Sequence, residues 1–188
     1  MRQTPRKLVL LLALVESFAT ILFERGAYFF TKERLGFSDA ENLVAALLFG
    51  AFYVLGAVRS HRLAARGGER RVLLAVIGGQ LAVNAVLVAH VSRPAIYVAE
   101  VLLGLLNGLK WPIVESYVGA GHTPRSAARA VGAFNLSWAS AVPLSLLAAG
   151  PVIAAWRGGI FALAGGLNAI GLLLASRFAT APTHLPHD

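Results

Sequence analysis

The sequence predicts an all-α membrane protein of six transmembrane helices with both termini cytoplasmic, and three observations carry that reading. Six apolar stretches fill almost all of the 188 residues. Hydrophobic residues make up 57% of the chain and charged residues 14%, with a mean hydropathy of +0.68. The basic residues gather on alternate sides of the stretches. A water-facing domain of this length would interleave amphipathic elements with polar loops; here the helices are apolar almost all round and the connections short.

The first stretch, Lys7–Phe30, follows a basic start. Its apolar run LVLLLALV resumes after Glu16 with no A-x-A site behind it, so a retained helix is expected rather than a cleaved leader. The second, Glu41–Val58, lies near the short limit for a hydrocarbon core of about 30 Å at about 1.5 Å per residue. Val72–Val91, Ala95–Val118 and Ala130–Ala154 are long enough, and Gly158–Leu174 is again short. Residues 1–178 form one membrane domain, and the polar, proline-containing tail ATAPTHLPHD (179–188) is expected to be disordered. A break after the third helix would give two three-helix units of opposite orientation, a 3+3 inverted repeat.

Charge placement sets the orientation. With the N-terminus inside, Arg2, Arg6, Lys7, Arg59, Arg62, Arg66, Arg70, Arg71, Arg125, Arg129 and Arg177 are cytoplasmic, whereas Lys32, Arg34, Arg93 and Arg157 are outside. That positive-inside bias puts both ends in the cytoplasm, and the chain is expected in the inner (plasma) membrane. It also assigns the net charge of +8 to topology and anionic-lipid contact, so nucleic acid is not an expected partner. The absence of cysteine removes disulfides, thiolate metal sites and cysteine nucleophiles. The histidines are scattered without metal-ligand spacing. No Gly-x-Ser-x-Gly or P-loop appears, which argues against a membrane protease, a nucleotide-driven pump and enzymes generally; no cofactor is expected.

Charges within spans cost about 2.5–3.5 kcal/mol at a helix centre, so Glu16, Glu24, Arg25, Glu100, Lys110 and Glu115 each call for a partner, an aqueous cavity or a neutral state. Depth favours pairing Glu16 with Lys110 and Arg25 with Glu100. On helix four, Glu100, Gly104, Asn107, Gly108, Trp111 and Glu115 fall within about 100° of one another, and Lys110 lies just beyond, so that face reads as one cavity wall. Glu115, near the inner end, reads instead as a carboxylate anchoring the basic loops. Helix five offers Asn135 and Trp138 before Pro143. The substrate or proton pathway is therefore expected among Glu16, Glu24, Arg25, Glu100, Asn107, Lys110, Trp111, Asn135 and Trp138, with Glu16 or Glu24 carrying a proton.

Several motifs resemble the major facilitator superfamily. Gly56, then His61-Arg62, then Gly67, Arg70 and Arg71 approximate its signature inner loop, although the usual Asp is absent and the spacing is stretched. Gly104, Gly108 and Pro112 resemble the spaced glycines and proline of its helix four. LFERGAYFF (Leu22–Phe30) is similar to the Glu-Arg-x-x-Tyr element of proton-coupled oligopeptide transporters, with Ile21 where those carry a further Glu. The resemblance covers the chain as the N-terminal six-helix half of a twelve-helix transporter. It implies a half-size secondary transporter for a small solute, proton-coupled if the helix-one element acts as in that family. Half a fold supplies half a cavity, which implies a parallel homodimer or a separately encoded second half. The competing reading is a non-transporting membrane partner or scaffold derived from a transporter.

Overall fold

The computed structural model describes residues 3–121 and 124–182, with the side chains of all but 124 and 125. Six helices follow one another: α1 Arg6–Leu35, α2 Asp39–Gly67, α3 Glu69–Ala89, α4 Arg93–Gly119, α5 Pro124–Ala155 and α6 Gly159–Ala175. Each boundary has a local cause. Gly36, at φ +65°, ends α1 in the left-handed region. Ser38 then opens α2 with a reciprocal capping box to Glu41. Gly68, at φ +80°, separates α2 from α3. Ser92 caps α4, and Pro94 sits in its first turn, where a missing N–H costs nothing.

Helices α2, α3 and α4 and residues 126–155 of α5 are long and apolar enough to cross a membrane. Helix α1 carries Glu16, Glu24 and Arg25 along its middle, and α6 is 17 residues long. Large apolar side chains such as Leu47, Val58, Leu147 and Leu173 cover the outside, as a lipid-facing surface requires.

The second helix departs from expectation. It does not end at Val58 but continues to Gly67, so the supposed inner loop is helical up to its two glycines. The segment SHRLAAR contains good helix formers, and Ser60 Oγ donates to the Leu109 carbonyl at 2.7 Å, fastening this extension to α4. His61 and Arg62 are exposed on its last turns rather than in a loop, and the turn itself uses Gly68 beside Gly67. Gly56 is buried in the α2–α4 contact: a Cβ there would meet the Leu105 carbonyl oxygen. Gly104 and Gly108 answer from α4, where added Cβ atoms would meet the carbonyl oxygens of Phe49 and Tyr53. This is close packing through small residues. Arg70, in the first turn of α3, donates to the Phe178 carbonyl at 3.1 Å, and Arg71 is exposed beside it.

Helix α1 packs on α5 and α6, α2 on α4, and α3 on α4 and α6. Two apolar clusters fill the bundle at different heights. One joins Leu12, Leu73, Val114 and Phe178, with Tyr117 edge-on to Phe178 at 4.9 Å. The other joins Leu22, Phe30, Ile96 and Phe161, with Phe30 edge-on to Phe161 at 5.1 Å. The beginning of the expected tail is tethered: Ala179 N–H donates to Thr4 Oγ1 at 2.8 Å, and its carbonyl accepts from the Tyr117 hydroxyl. Residues 183–188 of that tail lie outside the described residues.

Candidate functional site

Between the two apolar clusters lies a polar layer contributed by α1, α3, α4 and α6. Lys110 and Glu16 are both fully buried, with Nζ 2.7 Å from Glu16 Oε2. Lys110 also donates to Gln80 Oε1 at 3.0 Å and Thr20 Oγ1 at 3.2 Å, so all three ammonium protons have acceptors. Asn168 donates to Glu16 at 3.2 Å and accepts from Asn84 at 3.1 Å. Thr20 donates to Asn107 Oδ1 at 2.8 Å. Gly171 lets the carboxylate in, because a Cβ there would meet Glu16 Oε1. Among the described residues, the buried side-chain oxygens without a protein partner are Glu16 Oε1, Ser17 Oγ and Asn84 Oδ1. This layer is buried, apart from the half-buried Thr20, and almost fully paired.

A second feature opens on the other side of α1 and α4. A recess of about 440 Å³ is bounded by α1, α2, α4 and α5. Thr20, Ile21 and Glu24 form its α1 wall, Phe49, Gly50 and Tyr53 its α2 wall, Trp111 and Glu115 its α4 wall, and Phe134, Asn135 and Trp138 its α5 wall. Trp111 sits at the boundary between the two features. Its ring meets Phe134 edge-on at 6.1 Å, and Lys110 Nζ lies 4.9 Å from its centroid.

The residues singled out in the sequence thus divide. Glu16, Lys110 and Asn107 meet in the closed layer. Glu24, Trp111, Asn135 and Trp138 meet in the recess. Glu16 and Lys110 pair as their depths suggested, whereas Arg25 and Glu100 do not. Arg25 lies 3.7 Å from Glu24, with its side chain 55% exposed, and Glu100 is buried without an ion pair among the described residues. The reason is azimuth: one residue along a helix turns the side chain by about 100°, so Arg25 cannot follow Glu24 inward. Glu115 is not a loop anchor. It lines the recess and makes no ion pair among the described residues.

The polar face of α4 is likewise not one cavity wall. Gly104 and Gly108 meet α2, Asn107 and Lys110 meet α1 and α3, and only Trp111 and Glu115 reach the recess. Phe49, Tyr53 and Phe134 escaped the sequence reading, although Phe49 and Tyr53 stand four apart on one face of α2 and stack with centroids 6.5 Å apart. Among the described residues no three His, Asp or Glu side chains gather as a metal site.

Solved structures resemble this architecture closely. The chain superposes on the peptide transporter POT in complex with sulfate with a TM-score of 0.81 at 18% identity, covering 98% of this chain and 41% of that one. The POT family transporter PepTSo gives 0.78 at 17% identity, covering 100% and 40%. A bacterial homologue of the human lysosomal transporter Spinster, inward-facing and unoccupied, gives 0.76 at 16%, covering 100% and 46%. The fold is that of one six-helix unit of a major-facilitator transporter. No family model and no curated protein matches the sequence. The chain spans about two-fifths of the length of the peptide transporters it matches.

Proposed function

We propose that this six-helix unit is one half of a secondary transporter for a small solute, and that the recess between α1, α2, α4 and α5 is its half of the solute pathway. The observation that carries the reading is that recess: an open, aromatic and acidic hollow in the middle of a membrane bundle, on a fold shared with transporters. A solute enclosed there needs a facing wall, which a second copy in parallel orientation or a separate six-helix partner would supply. The basic residues support a cytoplasmic placement of both termini in the inner membrane, with Arg6, Lys7, Arg59, Arg62, Arg66, Arg70 and Arg71 gathered on the side of the α2–α3 turn. Helix pairing supports the 3+3 plan: exchanging α1 with α4, α2 with α5 and α3 with α6 turns α1–α5 into α2–α4 and α1–α6 into α3–α4, and leaves α3–α6 unchanged.

Proton coupling falls to Glu24 rather than Glu16. Glu16 is held by Lys110 and Asn168, whereas Glu24 borders the recess. The test is solute-driven proton movement into proteoliposomes containing the purified chain, first alone and then with any six-helix partner that co-purifies. Flux that is lost in Glu24→Gln while the protein stays folded supports this reading. A correctly assembled, well-folded unit that moves no solute would favour the non-transporting scaffold.

A further inference from the structure

Nothing in the fold says what the recess binds, but its wall chemistry does. Two carboxylates border it, Glu24 and Glu115, and none of the described residues lining it is Lys or Arg. Glu115 has no cationic partner among the described residues, and the one cation near Glu24, Arg25, turns its side chain outward. The rest of the wall is aromatic: Tyr53 on α2, Trp111 on α4 and Phe134 and Trp138 on α5. Ring faces attract cations, and carboxylates in a membrane interior are costly until a counter-charge arrives. The protein already uses this chemistry once, in the ammonium of Lys110 held between Glu16 and the Trp111 ring. Glu24, Glu115 and the outer aromatic rings repeat those ingredients in the recess without a tethered cation.

We infer that the recess binds a lipophilic organic cation, an amine or quaternary onium ion, held by Glu24 and Glu115 and packed against the aromatic wall. The inference rests on the recess being a solute site. An anion would meet two like charges, and a zwitterion would find no basic side chain for its acidic end. A neutral apolar solute would leave both carboxylates without a counter-charge.

The test is equilibrium binding of tetraphenylphosphonium to the purified full chain in nanodiscs, with empty nanodiscs subtracted. Tetraphenylborate, of nearly the same shape and opposite charge, serves as the control. Saturable phosphonium binding is expected, with no saturable borate binding. Affinity should fall about tenfold or more in the Glu24→Gln/Glu115→Gln double variant, since a desolvated charge pair is removed. Trp138→Ala, at an exposed position that leaves the core intact, should weaken binding through the rings alone. Thermal unfolding of each variant shows whether it is folded, and phosphonium quenching of tryptophan fluorescence in the unmodified chain reads the site without any substitution. Equal affinities for both ions, or an undiminished affinity in the folded double variant, would overturn the assignment. Phosphonium binding without flux would break the transport reading and leave this one standing; flux of an uncharged solute with no phosphonium binding would do the reverse.

Discussion

The closed polar layer and the open recess share two helices, α1 and α4, and even share Thr20 and Trp111 on their walls, yet they solve opposite problems. In the layer, a charge buried among four helices is neutralised within the protein: Lys110 has three acceptors, and Glu16 has a cation and an amide. In the recess, Glu24 has only an outward-turned arginine and Glu115 has no ion-pair partner among the described residues. A satisfied charge holds helices together, and an unsatisfied one beside an empty volume waits for something to arrive. Burial alone would rank Lys110 and Glu16 as the functional residues. Pairing reverses that order.

The largest effect is expected from unbalancing the layer. Lys110→Met leaves the Glu16 carboxylate buried without its cation and should cost about 3–5 kcal/mol, read by reversible unfolding in detergent. Adding Glu16→Gln should restore most of that loss; a simple sum of the two single effects would show that the pair is not coupled. Next in size, Gly108→Val drives a branched side chain into the Tyr53 carbonyl and should cost about 1–3 kcal/mol while separating α2 from α4. Asn168→Leu removes one donor to Glu16 and one acceptor for Asn84, an effect of about 1 kcal/mol on the same scale. Asn135→Ala, on the recess wall, should stay within about 0.5 kcal/mol of the parent. A recess variant as damaging as Lys110→Met would erase the distinction.

Much of this was legible in the sequence. The six helices and the relative depth of Glu16 and Lys110 follow from hydropathy and a rise of about 1.5 Å per residue, which is why that pair is matched across 94 positions. Azimuth between helices was not legible. The polar side of α4 looks continuous in sequence, but its residues address three neighbours, because glycine, asparagine and lysine serve close packing and buried bonds as readily as a wet wall. The basic segment after Val58 read as a loop because charge marks a membrane boundary; charge does not end a helix, and only Gly67-Gly68 did. The aromatic wall is not legible in the sequence for a related reason, since a phenylalanine facing a recess and one facing lipid look alike until α2 and α5 are placed.

The native chain has no cysteine, so single cysteines report cleanly on which region is wet. The most direct measurement is the rate at which a membrane-impermeant, charged methanethiosulfonate labels Asn135→Cys in the recess and Asn168→Cys in the layer, in native-like membranes. Ready labelling is expected at position 135, slowed by bound phosphonium, and essentially none at 168. Comparable labelling at 168, or a sealed position 135, would show that the solvated pathway runs through the Glu16–Lys110 layer instead.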